Sequence, residues 1–469
     1  MGLERSPAKG GCSSVHTREL MVSRILFPLS DIYRGTSVMK KTRFLQKSQW
    51  WDAEKLQSFQ LEKLQALVAH AYQNVPYYRR LFSQRGIAPS DIKDLADLAK
   101  IPVLTKSDVR QFKEELVAIN YRGEELLSGR TGGSTGEPLQ FFNDRNTVSW
   151  AWGAMNRYYE WTGMRIGEGR FDIGGGSLGG FLSKGLARDT LRSIQRWLQK
   201  GAFYPVFSLD KAMAREIAES AKARGIRVFR GYPSGLYVLA KYAEAEGLDF
   251  KDVRIIQSTS ERVYPHQREV IESNLTADMY DQYGAAEILS IAAQCEKKKA
   301  YHVFDEHVIV EDDRTLSSTN GRVPAIITDL DNFAMPFIRY EVGDILNFKG
   351  ASCTCGRGLS VIGKVEGRTH DFLTATDGRP IAGEFIPHLF QKVRGFDRYF
   401  IHQVSRAEIV VSIVANEDYN VSEIDELARL MKEHLGQDME IRFESVDRIG
   451  LSSTGKLQFI KSEVEPVFD

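Results

Sequence analysis

No stretch of this sequence approaches the roughly 18 consecutive apolar residues that a membrane-spanning helix needs, and the chain has no charge surplus, 62 basic residues meeting 62 acidic ones. The first absence argues against a transmembrane segment. The second removes any global electrostatic case for nucleic acid or an anionic membrane, so small molecules are the expected partners. Cysteine is scarce, four in 469 residues, which is not the density of a disulfide scaffold and fits a reducing, cytoplasmic setting. The sequence has no internal repeat and no low-complexity tract. Its first twenty residues, MGLERSPAKGGCSSVHTREL, are small and polar, and the apolar patch at residues 25–29 is too short for the core of a signal peptide. Residues 1–20 therefore read as a disordered tail, with Met21 as an alternative start. Met1-Gly2 with Ser6 matches a myristoylation pattern loosely enough for chance to supply it.

What the chain does have is length and an ordinary apolar share of 42%, enough for a large core and, at about 150 residues per domain, for two domains or more. Between residues 51 and 74, Leu56, Phe59, Leu64, Leu67, Val68 and Ala71 recur at helical spacing, with Asp52 as N-cap and Pro76 as the stop. Short β-branched runs then alternate with helical ones: Val228-Phe229, a helix after Ser234, a strand at 254–257, a helix after Pro265 and a strand at 325–329. This alternation predicts an α/β layered fold. Beyond about Gly367 the pattern shortens to strands at 399–404 and 408–414, a helix at 422–435 and a strand at 440–445. The expected organisation is a large α/β domain over residues 21–367 and a small mobile α+β domain over 368–469.

The densest chemical signal is RTGGSTGEPL, from Arg130 to Leu139. Gly132, Gly133 and Gly136 let successive backbone N–H groups converge on an anion, and Thr131, Ser134 and Thr135 add hydroxyl donors. A Walker A loop would place a lysine after the last glycine, where Glu137 stands. Gly132-Gly133-Ser134-Thr135-Gly136 also satisfies G-x-S-x-G, the nucleophile elbow of a serine hydrolase, with Ser134 as nucleophile. The polar residues before it and Pro138 after it do not supply the strand-to-helix turn that an elbow requires. A second glycine run, at 174–180, is compatible with a ligand-approaching backbone or a mobile loop.

Further along, Tyr283-Gly284-Ala285-Ala286-Glu287 sets an aromatic, which can stack a purine, close to a carboxylate suited to Mg²⁺. Ser260-Glu261 follows a strand, Asp344 offers an acid for ribose hydroxyls, Gly367-Arg368 lies at the domain junction, and a Ser/Thr/Gly loop presents Lys456. In this order the motifs resemble those of the adenylate-forming (acyl-CoA synthetase) superfamily, and of its phenylacetate-CoA ligase branch with the capsular-polysaccharide-associated relatives. The resemblance runs from about Gln60 to the C-terminus. It implies that Thr131, Ser134, Thr135 and Gly136 hold the phosphates of ATP, that Tyr283 packs on adenine with Glu261 nearby, and that Glu287 holds Mg²⁺. It also gives Asp344 and Arg368 the ribose, and Lys456 the carboxylate and α-phosphate during adenylation. The implied reaction joins a carboxylic acid to AMP with release of pyrophosphate, after which the C-terminal domain rotates and an acceptor, CoA or an amine, displaces AMP.

Cys295, His302, Cys353 and Cys355 form a complete three-sulfur, one-nitrogen donor set for structural Zn²⁺, although C-x-C is tighter than the usual C-x2-C. The phenylacetate-ligase branch has similar cysteine and histidine positions. Three departures from the family pattern bear on specificity. Ala286 stands where Ser or Thr is usual, His370 occupies the hinge position, and TDGRPIAGEF at 376–385 does not match the thiolation loop. The residues name neither the acid, nor the acceptor, nor the oligomeric state.

Overall fold

Strands expected at residues 228–229 and 254–257 lie side by side in the computed structural model, which describes residues 19–130, 139–174, 201–205, 209–312, 321–368, 372–378, 380–382, 390, 395–417, 419–450 and 460–464. They belong to an eight-stranded sheet. Five of its strands are parallel, in the order Ala202–Pro205, Arg170–Gly174, Val228–Gly231, Ile255–Ser258 and Asp278–Tyr283. Three more extend it antiparallel: Ala292–Gln294, Tyr301–Val303 and Val361–Ile362. Both faces of the parallel part are covered, as its continuous apolar runs require. On one face Phe171, Ile173, Phe229, Ile256 and Met279 pack against the helices Lys211–Arg224, Pro233–Glu246 and Pro265–Asn274. On the other, the alternate residues Val228, Ile255 and Tyr280 meet Ala154 and Tyr158 of the helix Arg145–Trp161 and Leu45 of the helix Val38–Ser48.

The helix read at 51–74 spans Ala53–Asn74, and the Asp52 carboxylate accepts from the Lys55 amide at 2.8 Å as its N-cap. Pro76 ends it by starting another, Pro76–Arg85, where a missing N–H costs nothing. Among the described residues, helix is already present at Glu19 and Leu20, inside the stretch expected to be a disordered tail. Glu19 is buried and reaches Arg165 at 2.9 Å, so residues 19 and 20 pack with the body.

A second, antiparallel sheet orders Val308–Val310, Arg322–Asp329, Tyr340–Asn347 and Lys364–Arg368. Further along the chain, Phe396–Ser405 and Glu408–Ala415 pair antiparallel and are flanked in parallel by Ile460–Ser462 and Glu440–Ser445. Ile424, Leu427, Met431 and Leu435, at helical spacing on Val421–Leu435, close a separate core against Ile401, Ile409, Val411 and Ile413.

Candidate functional site

Thr131, Ser134, Thr135, Gly136, His370 and Lys456 lie outside the described residues, but the elements beside the first four are informative. Leu127–Arg130 is a strand, though not the buried apolar strand that an elbow needs, since Ser128 and Arg130 are exposed. It belongs to a two-stranded ribbon with one face in water, which accommodates Ser128 and Arg130. Its partner, Gln140–Asn143, runs antiparallel with Arg130 opposite Gln140. The glycine-rich segment, itself outside the described residues, is thus flanked on both sides by strands, whereas the serine of a nucleophile elbow is followed by a helix. Gly129 is required here: a Cβ would lie 2.3 Å from the Phe141 ring.

The parallel strands deliver the other motifs to one edge. Gly231, Ser258 and Tyr283 are the C-terminal residues of adjacent parallel strands, the edge where open α/β sheets bind ligands. Glu261, just past that edge, accepts from the Ser234 amide at 3.0 Å and so caps the start of the helix Pro233–Glu246. Tyr283, 7% exposed, donates its hydroxyl to Asp344 at 2.9 Å. Asp344 in turn stands opposite Arg368 in the register of the second sheet. Glu287 is buried and accepts from the Tyr340 hydroxyl at 2.7 Å. Burial, reinforced by the Glu287 charge, holds the Tyr340 phenol far above its ordinary range, so it stays a donor. The expected residues Tyr283, Glu287, Asp344 and Arg368 thus converge where the two sheets meet. Beneath them Asp281 accepts from Ser258 at 2.5 Å and Tyr301 at 2.6 Å, while burial raises its carboxyl.

Gly284 turns the chain between Tyr283 and Glu287, and a Cβ there would stand 2.5 Å from the Leu289 carbonyl oxygen. Sequence reasoning gave no role of their own to three neighbours, although Ser260 stands next to Glu261 in the strand-end motif. Ser260 has φ of 71°, a left-handed conformation that costs a non-glycine residue on the order of 1–3 kcal/mol. Arg262 donates to the Glu366 carbonyl, tying the strand-end loop to the strand that carries Arg368. Arg339, also left-handed at φ 53°, is held by Glu311 and the Ile101 carbonyl, so it anchors the run before Asp344. Ser260 and Arg262 flank Glu261, and treating the triplet as one loop was the available signal.

The four proposed zinc ligands do come together, their donor atoms all within 4.8 Å of one another. The strand Ala292–Gln294 delivers Cys295, the strand Tyr301–Val303 carries His302, and the loop before Val361 brings Cys353 and Cys355. Cys295 and Cys353 sulfurs are 3.6 Å apart, and Cys355 Sγ is 3.3 Å from His302 Nε2. Zn–S bonds of about 2.3 Å at tetrahedral angles require sulfur separations of about 3.8 Å, close to the 3.6 Å between Cys295 and Cys353, so the donor set suits Zn²⁺. A disulfide needs about 2.05 Å and is not formed. Burial and then the Arg357 charge lower His302 to about 4, keeping the imidazole neutral as a ligand must be. Burial opposes ionisation of Cys355, yet the Arg357 backbone and guanidinium outweigh it and hold this thiol below its ordinary value. Burial and the neighbouring thiols push Cys295 up to about 12.

A family model, the CapK C-terminal domain, matches residues 373–463. The phenylacetate-coenzyme A ligase of Thermus thermophilus is 26% identical over 453 residues, covering 86% of this chain and 96% of its own. The enzyme of the same name from Pseudomonas putida is 24% identical, covering 83% and 90%. Among solved structures, a 2-hydroxyisobutyryl-CoA ligase in the postadenylation state with 2-HIB-AMP superposes with a TM-score of 0.69 at 19% identity, over 89% of this chain and 93% of that one.

Proposed function

We propose that this chain, a homologue of the phenylacetate-CoA ligases built on the adenylate-forming fold, is an ATP-dependent, AMP-forming carboxylate–CoA ligase. One observation carries the reading beyond similarity. The Tyr283 hydroxyl meets the Asp344 carboxylate across 61 residues, with Arg368 opposite in register. Tyr283 and Asp344, read separately as the adenine and ribose residues, are in contact beside the C-terminal strand edge, which supports a nucleoside site there.

In the first half-reaction a carboxylate oxygen attacks the α-phosphorus, an O–P bond forms, and pyrophosphate leaves with the electrons of the broken bond. Arg368 and Asp344 hold the ribose, and the hydroxyl and amide donors of residues 131–136 receive the β- and γ-phosphates. Lys456 places its charge between the attacking carboxylate and the α-phosphate. Glu287, fixed by Tyr340, offers hard oxygen for Mg²⁺, which would neutralise phosphate charge when bound. In the second half-reaction the CoA thiol sulfur bonds to the acyl carbon, AMP leaves, and the thiol proton is lost. Cys295, His302, Cys353 and Cys355 would hold a structural Zn²⁺ that staples the loop at 353–355 to the end of the main sheet.

ATP/pyrophosphate exchange across a panel of carboxylic acids tests the assignment, with phenylacetate and small hydroxy acids first because the relatives are named for them. Acid-dependent exchange, followed by CoA-dependent conversion to thioester, is the expected result. Ester hydrolysis without ATP, lost in Ser134→Ala, would replace this reading with the hydrolase.

A further inference from the structure

The helical run over the described residues Glu19 to Arg34 displays an apolar stripe to solvent. Met21, Ile25, Leu29, Ile32 and Tyr33 are exposed by 37, 54, 56, 77 and 55%. Their spacing of four, four and three to four residues sets them along one side of the helix. Large apolar side chains exposed together in this way mark an interaction surface. The next helix, Val38–Ser48, buries Met39, Thr42, Leu45 and Ser48 and exposes Lys40, Arg43 and Lys47, again on one side. Arg24 is also exposed.

The acids of this segment do not offset these charges. Residues 19–48 contain two, Glu19 and Asp31. Glu19 is buried against Arg165. Asp31 accepts from Thr36 at 2.7 Å and from the Val38 and Met39 amides at 3.1 and 2.9 Å, fastening the two helices together. A protein with no net charge thus carries a helical segment, residues 19–48, whose own exposed charges are all positive and whose first helix exposes an apolar stripe, with the half-buried Glu160 of the neighbouring helix engaged by Gln46.

We infer that this patch docks the protein on an anionic lipid surface, the stripe lying in the headgroup boundary and Arg24, Lys40, Arg43 and Lys47 meeting lipid phosphates and carboxylates. Charge decides among occupants. A second copy placed by two-fold symmetry would bring this cationic patch against itself. Residues 1–18 offer Met1, Leu3 and Val15 as their large apolar side chains, too few to cover five, and their Arg5, Lys9 and Arg18 outnumber Glu4. An anionic bilayer satisfies both the apolar stripe and the positive flank. No helix among the described residues is long and apolar enough to cross it, so the helix lies on the surface.

Co-sedimentation of the full chain with phosphatidylcholine vesicles, with and without phosphatidylserine, tests the proposal. Binding is expected to the anionic vesicles, weaker by about tenfold to the neutral ones and falling with added salt. Leu29→Asp/Ile32→Asp should remove binding to both kinds of vesicle, and Lys40→Glu/Arg43→Glu should weaken the anionic binding by about tenfold. Melting temperature and ATP/pyrophosphate exchange should stay as in the wild type for both. Absence of sedimentation with anionic vesicles overturns the proposal, as does binding that neither pair alters. A dimer in sedimentation equilibrium that Leu29→Asp/Ile32→Asp dissociates also overturns it, and assigns the stripe to a second copy.

Discussion

Tyr283 and Asp344 share a hydrogen bond of 2.9 Å, which fixes the tyrosine ring and orients the carboxylate before nucleotide arrives. Tyr283→Phe keeps the ring and loses that contact, of about 1 kcal/mol, so the KM for ATP in pyrophosphate exchange should rise about fivefold while the melting temperature hardly moves. Asp305 acts on stability instead. It is buried, accepts from the Ser360 amide at 2.6 Å, and desolvation, with the Glu306 charge adding, raises its pKa to about 7. A folded-state value above the unfolded one of about 4 means that its protonated form favours folding; that contribution is full below pH ~4 and is lost as pH rises through about 7. Asp305→Asn cannot ionise. Its melting temperature should be flatter than that of the wild type between these limits, with the largest gain near pH 8, measured by thermal scans across pH. Tyr283 and Asp344 stand out in the sequence from their motifs, although the contact between them does not. Asp305 does not stand out, because nothing local separates a buried acid from a solvated one.

Helix Arg145–Trp161 joins the helix Val38–Ser48 to the loop after Tyr301–Val303 through one ion pair. Arg157, fully buried, binds Glu306 at 2.7 and 3.0 Å and the Leu45 carbonyl at 3.1 Å, while Ser48 donates to Glu306 at 2.5 Å. Arg157→Met alone strands a buried carboxylate and should cost about 3–5 kcal/mol in denaturant unfolding, whereas Arg157→Met with Glu306→Gln should recover most of it. The cysteine cluster is a staple of the same kind, closing the 353–355 loop on strands nearly sixty residues earlier. Purified protein should contain about one zinc per chain, and Cys355→Ser should lower both zinc content and melting temperature by several degrees. A fully stable, active protein without zinc would refute that site. Elements with strong periodicity, such as Ala53–Asn74 and Val421–Leu435, were readable within a residue or two. The strand Leu127–Arg130 was not, since a ribbon with one wet face does not need apolar residues.

Across the whole molecule, the lysine proposed for catalysis, Lys456, and the proposed nucleotide motifs are far apart in sequence, and the proposed scheme joins them only by closure of the C-terminal part on the larger one. Lys456→Ala should therefore reduce acyl-adenylate formation by about a hundredfold or more, with ATP binding by calorimetry nearly unchanged; a variant with normal adenylation would overturn the role. By itself, the sequence determined the α/β class, the order of the motifs, the donor set at Cys295, His302, Cys353 and Cys355, and the positions of the strongly periodic elements. Those follow from periodicity, residue chemistry and spacing, which are local. The tertiary structure decided that Tyr283 meets Asp344, that Glu261 caps a helix, that Arg262 reaches Glu366, that Glu19 is buried against Arg165 and that Asp31 is engaged by the start of the next helix while basic and apolar side chains stay exposed. Each of these depends on which strands are neighbours and which side of a helix is covered, and a chain reveals that only once its sheets have paired and its faces have been buried.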